Sequence, residues 1–187
     1  LLVSPFNTRT SFLDLIENEI EQAKAGNQAK ITLKMNSLED SKMIKALYRA
    51  SESGVKLRLL VRGFCCLVPK KPSELEPEEQ PIHITSIIDR YLEHGRIYLF
   101  ANGGNEKMYL GSADWMTRNL DHRVEVLTPI LDKDIFKELK DILYIQLQDN
   151  VKARVVDAED ANKKVPFLNG TAHVRSQYAI YDYLKGK

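Results

Sequence analysis

The stretch Ala29–Gly63, AKITLKMNSLEDSKMIKALYRASESGVKLRLLVRG, decides the fold class. Its first part, Ala29–Met35, alternates with the period of two that is typical of a β-strand. Asp40 or Ser41 can cap a helix that follows, and Val55–Gly63 repeats the strand pattern. Because a strand, a helix and a second strand of these lengths form a crossover between parallel neighbours, the sequence predicts an α/β protein.

Further elements extend this unit on both sides. Apolar residues recur at helical spacing from Ser11 to Ala25, and an Asn-Gly-Gly turn between RIYLF and KMYLGS predicts an antiparallel hairpin. The other predicted elements are a strand in RVEVLTP, a helix that begins after Asp132 and runs to Leu147, a short strand near Ala153–Val156 and a helix from about Ser176 to Leu184. We therefore expect one domain over residues 1–187 with a mixed β-sheet flanked by α-helices, which some schemes class as α+β.

The segment 69–81, PKKPSELEPEEQP, interrupts these regular patterns. It holds four of the seven prolines and a cluster of glutamates. Proline lacks the amide hydrogen that a sheet or a helix interior requires. We expect an exposed, mobile loop at this position.

The composition excludes several classes of protein. With 27 Lys and Arg against 26 Asp and Glu, the chain has no global positive field, so nucleic acid is not an expected partner and any anion site must be local. No apolar run approaches the roughly 20 residues that span a bilayer, and the first ten residues lack a signal-peptide pattern. The adjacent Cys65 and Cys66 are expected to be reduced, because strand neighbours point to opposite faces. We expect a soluble cytoplasmic protein, and the lack of an initiator methionine suggests a piece of a longer chain.

A histidine and an arginine stand just ahead of the strand RIYLF, in YLEHGR. In an extended segment His94 and Arg96 face the same side. Imidazole, with a pKa of about 6.5, can attack or give up a proton at neutral pH, and a guanidinium group suits phosphate oxygens. The other histidines, His83, His122 and His173, are interpreted as structural or solvated residues.

A second polar cluster follows the hairpin, in GSADWMTRNLDHRVE. If the hairpin strands pair, these residues lie near His94. Ser112 could donate a hydrogen bond there, and Glu125 or Asp114 could fix an imidazole tautomer.

Arg62 is a further candidate, at the end of a predicted parallel strand. Ligands gather at the carboxyl ends of parallel strands in open sheets. The phosphoryl group in transfer carries its charge on three oxygens, so a site for this reaction needs fixed cationic donors. Arg62 could be such a donor, and the histidine could attack or transfer a proton. An alternative interpretation is a salt-bridged surface, since charges of both signs interleave along this part of the chain.

Several long segments resemble the C-terminal region of the bacterial polyphosphate kinases of the first type. The resemblance is carried by LLVSPFNTR, AKITLKMNSLED, ALYRASESGVKLRLLVRGFCCL, YLEHGRIYLFANGG, MYLGSADWMTRNLDHRVEVLTPI and RSQYAIYDYL. It covers nearly the whole chain. It implies a phospholipase D-like fold, of which the kinase carries two copies that face each other, this one being the second.

The resemblance also implies an activity. The family transfers the terminal phosphate of ATP reversibly to inorganic polyphosphate through a phosphohistidine intermediate, with Mg²⁺. His94 is similar to the second active-site histidine, and Arg62 is similar to a residue that contacts the phosphates of ATP or ADP. The phosphorylated histidine, and by expectation the Mg²⁺ ligands, belong to preceding domains, so the isolated chain is expected to be inactive. ATP, polyphosphate and those domains are the expected partners, in a homo-oligomer that is cytoplasmic or peripherally attached to a membrane.

The motifs depart from those of the wider phospholipase D class, in which each half contributes H-x-K and a later G-S-x-N. Here the corresponding residues are His94-Gly95-Arg96 and Gly111-Ser112-Ala113-Asp114, so arginine replaces lysine and aspartate replaces asparagine. A bidentate guanidinium in place of a point charge agrees with the kinase pattern. The hypothesis is that His94 is an acid/base partner or an alternate phosphoryl acceptor, and that Arg62 and Arg96 bind phosphate oxygens.

Two other functions remain open from the sequence. The first is a phosphodiesterase or nuclease half-domain that completes its site by dimerising. The second is a non-catalytic module that binds anions or serves assembly.

Overall fold

Eight strands form one mixed sheet in the computed structural model, which describes residues 1–159, 161–167 and 170–186. The strands are β1 Leu2–Ser4, β2 Lys30–Met35, β3 Lys56–Val61, β4 Ile82–Ser86, β5 Arg96–Phe100, β6 Lys107–Gly111, β7 Glu125–Pro129 and β8 Arg154–Val155. The helices are α1 Thr8–Lys24, α2 Ser41–Glu52, α3 Lys133–Leu147 and α4 Ser176–Lys185. The order across the sheet is β1-β7-β6-β5-β2-β3-β4-β8, and helices cover parts of both faces. The predicted α/β class with a mixed sheet is confirmed.

The parallel pair at the centre forms as the sequence predicts. β2 and β3 pair in parallel from Lys30 opposite Lys56 to Met35 opposite Val61. The Asp40 side chain caps α2, since it accepts the backbone N–H groups of Lys42 at 3.1 Å and Met43 at 3.0 Å. The connection between β2 and β3 is therefore the expected crossover helix.

Three elements differ from the prediction. The prediction missed β4, which pairs in parallel with β3, because its five residues follow directly on a proline-rich segment. Helix α1 begins at Thr8 rather than at Ser11, since polar residues in its first turn hide the apolar spacing. A short π-helical turn at Arg118–His122 was also not predicted.

The segment 69–81 is exposed over most of its length, as expected, and contains one 3-10 turn at Pro72–Glu74. Its end is fixed to the fold. Glu79 is buried and accepts hydrogen bonds from Lys70 at 3.0 Å and Ser51 at 3.3 Å. The backbone N–H of Gln80 donates to the carbonyl oxygen of Ser51 at 3.0 Å. The predicted mobility of the segment 69–81 stays a prediction.

The larger core lies between the sheet and helices α1 and α2. Its centre is a cluster of aromatic rings in which the centroid of Phe12 lies 4.7 Å from Tyr98 and 5.3 Å from Trp115. Tyr98 is fully buried, and its hydroxyl donates to the carbonyl oxygen of Ala113 at 2.5 Å. Burial raises the pKa of Tyr98, so this hydroxyl stays protonated and keeps donating. The bond ties the segment after β6 to the core.

The opposite face of the sheet is covered by α3, with α4 packed beside it. Ile97, Leu99 and Met108 point to this side and meet Leu143 of α3. None of the helices in the described residues combines the length and the apolar composition that a membrane span requires.

Strand β6 approaches β7 closely at Gly111. A Cβ atom on Gly111 would lie 2.3 Å from the carbonyl oxygen of Val126 and 2.7 Å from the Cα atom of Leu127. Both are backbone atoms, which cannot turn aside as a flexible side chain would. The position therefore requires glycine because of space.

We expect Gly111→Ala to lower the free energy of unfolding by about 2–3 kcal/mol, because overpacking against backbone forces the strands apart. Urea unfolding of the two proteins measures this difference. Gly95→Ala is the matched control, since nothing lies within 4 Å of a Cβ atom placed there. Equal effects of the two substitutions would contradict this explanation.

An ionic cluster joins α1, α2 and the π-helical turn. The Arg9 guanidinium donates to both carboxylate oxygens of Asp40, at 2.5 and 2.7 Å, and to both of Asp121, at 2.9 and 2.7 Å. Thr117 adds a hydrogen bond to Asp40 at 3.1 Å. Burial acts to raise the pKa of Asp40, but the hydrogen bonds from Arg9 and from the Met43 amide outweigh it and lower that pKa overall.

Candidate active site

One edge of the sheet collects the residues that the sequence singled out. Strands β2, β3 and β4 end there, β5 begins there because it runs antiparallel to β2, and β6 ends there with Gly111 opposite Arg96. We call this the active edge and define it by Asn36, Arg62, His94, Arg96, Ser112, Asp114 and Glu125. The predicted hairpin is thus what brings the two distant motifs to one place.

Arg62 follows β3 and is held through one of its nitrogens. Its Nε donates to Oδ1 of Asn36, the residue that follows β2, at 2.9 Å. Its carbonyl oxygen accepts the Ser86 hydroxyl at 2.9 Å. In the part of the chain that the structure describes, no carboxylate forms an ion pair with Arg62, so its two terminal nitrogens remain open to an anion.

Arg96 is engaged by Asp114. Its Nε and Nη2 atoms each donate to the Asp114 carboxylate at 3.1 Å, and its Nη1 donates to the carbonyl oxygen of His94 at 2.9 Å. Asp114 also accepts the backbone N–H of Asn36 at 2.8 Å. Both ionic side chains are largely buried, with 12% and 9% exposure. This pair fastens the segment His94–Arg96 to the segment after β6, and it uses three of the five N–H donors of the guanidinium.

His94 lies just before β5 and is exposed. No other described residue forms a hydrogen bond or an ion pair with its ring. The backbone of the same residue is fixed by Arg96. The imidazole is therefore presented to solvent on a segment whose position is set.

Ser112 and Glu125 form a separate group at the active edge. The Ser112 hydroxyl donates to Oε2 of Glu125 and accepts the Val126 amide at 3.2 Å, while Asn119 donates to Oε1 of Glu125 at 2.7 Å. Glu125 thus contacts Ser112 and Asn119, and Asp114 contacts Arg96. Neither carboxylate forms a hydrogen bond with the His94 ring. Their suggested role in fixing the tautomer of this imidazole therefore stays a prediction.

Sequence reasoning missed Lys34, which lies in β2 and is buried at 8% exposure. Its ammonium group pairs with Glu93 at 2.6 Å, and Glu93 also accepts Gln146 and Gln177. Burial lowers the pKa of Lys34 more than the Glu93 carboxylate raises it. The available signal was a lysine in the middle of a strand whose neighbours are buried.

The remaining histidines lie away from this edge or make other contacts. His83 is in β4 and exposed, and His122 is exposed in the π-helical turn. The ring of His173 stacks on Phe167 with 4.3 Å between centroids. The sequence interpretation of these three as structural or solvated residues agrees with these positions.

The described residues do not bring three His, Cys, Asp or Glu side chains together in a group that could hold a metal ion. Asp114 is neutralised by Arg96, and Glu125 is held by two hydrogen bonds. The acidic groups of the active edge therefore do not fit a Mg²⁺ site made by this chain alone.

Comparison with known proteins identifies relatives over the whole chain. Residues 1–177 match the family model described as "Polyphosphate kinase C-terminal domain 2". The polyphosphate kinase of Klebsiella pneumoniae is 50% identical over 185 residues, which are 99% of this chain and 26% of that protein. The chain therefore spans about a quarter of the length of the curated relatives that it matches.

Solved structures agree with this comparison. The crystal structure of polyphosphate kinase from Porphyromonas gingivalis matches with a TM-score of 0.92 and 46% identity, over 99% of this chain and 28% of that one. Nuc from Salmonella typhimurium, a phospholipase D family member, matches with a TM-score of 0.57 and 12% identity, over 83% of this chain and 95% of that one. The second likeness concerns the fold alone and confirms the predicted phospholipase D-like architecture.

Proposed function

The chain belongs to the polyphosphate kinase family, as its second C-terminal domain, and from this premise we propose that the protein carrying it transfers the terminal phosphate of ATP reversibly to inorganic polyphosphate. The match of the family over 1–177, with His94 and Arg62 on one edge of the sheet, is the observation that supports the proposal. The chain itself is proposed to supply half of the site. The other half would come from the preceding domains of the same chain.

The proposed reaction has two displacements. A histidine nitrogen of the preceding domain attacks the terminal phosphorus of ATP, and the bond from that phosphorus to the bridging oxygen breaks as ADP leaves with the electron pair. A terminal oxygen of polyphosphate then attacks the phosphorus, and the P–N bond breaks. Positioning and charge stabilisation contribute most to catalysis of such a step.

His94 is proposed to act opposite the phosphorylated histidine, as an acid/base partner or an alternate phosphoryl acceptor. Its exposed ring on a fixed backbone supports this role, because a proton carrier needs both access and position. Arg96 holds the backbone of His94 and keeps two N–H donors for phosphate oxygens.

Arg62 is proposed to bind the phosphates of ATP and ADP. The bond from Nε to Asn36 leaves its fork of terminal N–H groups free for bidentate contact. Ser112 and Glu125 are proposed to shape the neighbouring wall, with Ser112 able to turn its hydroxyl from Glu125 to a bound phosphate. No step is assigned to Mg²⁺, since the described residues offer it no set of ligands. A cytoplasmic location is proposed because ATP is the donor, and homo-oligomerisation stays a prediction.

We expect Arg62→Lys in the full-length protein to raise KM for ATP by about tenfold, because an ammonium group cannot reproduce a bidentate contact. The rate at saturating ATP should change less. Steady-state kinetics with varied ATP measure both quantities. Arg49→Lys is the control, because Arg49 is a surface residue of α2 that pairs with Glu17 at 3.1 Å. An unchanged KM for ATP in Arg62→Lys would show that Arg62 does not bind the phosphates of ATP.

The reverse reaction tests the proposed function. Full-length protein is supplied with ADP and polyphosphate, and ATP formation is followed by luciferase light, with bis(p-nitrophenyl) phosphate as a parallel substrate. ATP formation without phosphodiester hydrolysis is the expected result. Phosphodiester hydrolysis without ATP formation would favour the half-domain phosphodiesterase, and the absence of both would favour an anion-binding module.

A further inference from the structure

A second group of cationic side chains lies at the other edge of the sheet, where β2, β3 and β4 begin. A cavity of about 1550 Å³ opens there. Its basic lining consists of Lys30, Lys56, Arg58, Lys70, Lys71 and His83. We call it the amino-edge cavity. It differs from the active edge in position and in every one of these residues.

The strand register places four of these side chains next to one another. Lys30 lies directly opposite Lys56, and Arg58 lies directly opposite His83. Register partners in a parallel pair point to the same face, about 5 Å apart. Cationic groups opposite each other destabilise a sheet unless an anion lies between them.

The acidic residues of the cavity do not supply that anion. Its carboxylates are Asp157 and Glu159. Asp157 accepts the backbone amides of Glu159 and Ala161, at 3.2 and 2.9 Å. Glu159 pairs with Lys71 at 3.1 Å. Among the described residues, neither carboxylate forms an ion pair with Lys30, Lys56 or Arg58.

Lys30, Lys56 and Arg58 form no ion pair with a carboxylate among the described residues. Lys30 donates to the Tyr144 hydroxyl at 2.9 Å, and Arg58 donates to the carbonyl oxygen of Leu147 at 3.1 Å. Lys56 is exposed. Lys70 differs, because Glu79 lies 2.9 Å away and Glu52 3.3 Å away. Three unneutralised cations and His83 therefore face the cavity.

The amino-edge cavity is separate from the active edge. Arg58 and Arg62 are four residues apart on β3, which corresponds to about 13 Å of extended strand. Leu60 lies between them in a buried apolar cluster with Ile87 and Ala153. A ligand in the cavity cannot reach the active edge through this cluster.

Size and chemistry indicate the class of ligand. Small-molecule pockets measure about 300–1000 Å³. The amino-edge cavity, at about 1550 Å³, is therefore larger than one metabolite needs. No Phe, Tyr or Trp side chain lines it among the described residues, whereas proteins that bind single-stranded nucleic acid stack bases on such rings. A polymer of phosphate without bases fits the remaining chemistry.

We propose that the amino-edge cavity is a second, non-catalytic binding site for inorganic polyphosphate, in which Lys30, Lys56 and Arg58 contact phosphate oxygens. The identity of the polymer rests on the proposed function. In this proposal the amino-edge cavity binds a remote part of a long polyphosphate, while the terminal phosphate of the same polymer reacts at the active edge. Short phosphates that occupy only the active edge do not contact the amino-edge cavity, so it does not raise their affinity.

The test compares polyphosphate binding by the full-length protein with and without these charges. In Lys56→Gln/Arg58→Gln we expect affinity for chains of about a hundred phosphates to fall by about tenfold at low salt. The slope of log affinity against log salt should become shallower by about two, one for each phosphate contact removed. The affinity for ATP and for tripolyphosphate should not change.

Lys45→Gln/Lys133→Gln is the matched control, because it removes the same charge from exposed positions on α2 and α3. Equal affinity for long chains in the two double variants would overturn the proposal. Lys56→Glu, a single change at an exposed residue, gives the same test if the double variant does not fold. ATP formation by the wild-type protein is measured alongside, so failure of the kinase function is distinguished from failure of this site.

Discussion

His94→Ala in the full-length protein is expected to lower the rate of polyphosphate synthesis from ATP by a factor of about 10²–10⁴. This is the range for the loss of a positioned acid or base. The fold should be unaffected, because the ring is exposed and has no hydrogen-bond partner among the described residues. Circular dichroism and urea unfolding verify the fold, and acid-insoluble phosphate measures the synthesis.

His122→Ala is the control for this prediction, because His122 is exposed and lies in the π-helical turn. It should retain near-normal synthesis. If folded His94→Ala also retains near-normal synthesis, the histidine has no catalytic role, and the active edge loses its main candidate.

Arg9→Met is expected to lower the free energy of unfolding by about 2–4 kcal/mol. Removal of one partner from a buried ionic cluster leaves the other charges without compensation. Asp40 is the more costly of the two partners, because its side chain is 3% exposed, whereas that of Asp121 is 37% exposed and partly hydrated. Urea unfolding at pH 7 measures the loss. Arg49→Met is the control, since Arg49 and Glu17 are both exposed.

The same variant is expected to lose part of its acid sensitivity. The pKa values of Asp40 and Asp121 are lowered in the folded protein, so their stabilisation is present above the unfolded pKa of about 3.9 and disappears as the pH falls through and below it. Without Arg9 this contribution is missing already at pH 7. The stability difference between wild type and Arg9→Met should therefore shrink between pH 5 and pH 3, and a constant difference would contradict this account.

The sequence predicted the centre of the fold because local signals and tertiary packing agree there. The alternation in β2 and β3 and the cap at Asp40 specify a crossover that only parallel pairing satisfies. β4 was missed because a five-residue strand beside prolines carries little local signal, and its stability comes from its neighbour β3. Arg9, in the first turn of α1, finds its ionic partners on other elements, and spacing along the helix does not encode such contacts.

The position of the active edge could be predicted from the sequence, but the contacts between its side chains could not. The hairpin register brings Arg96 next to Gly111, so the two motifs had to meet. That Asp114 takes up the bidentate face of Arg96 depends on side-chain geometry across the turn, which the sequence pattern does not encode. Lys34 and Glu93 are 59 residues apart, so their buried pair could be found only from the structure.

We propose that this chain is one half of a shared phosphotransferase site. The most direct measurement is polyphosphate synthesis from ATP by the full-length protein and by the chain 1–187, side by side and at equal concentration. A shared site predicts acid-insoluble polyphosphate from the full-length protein and none from the chain alone, with both proteins folded. Synthesis by the chain alone, or none by the full-length protein, would contradict it.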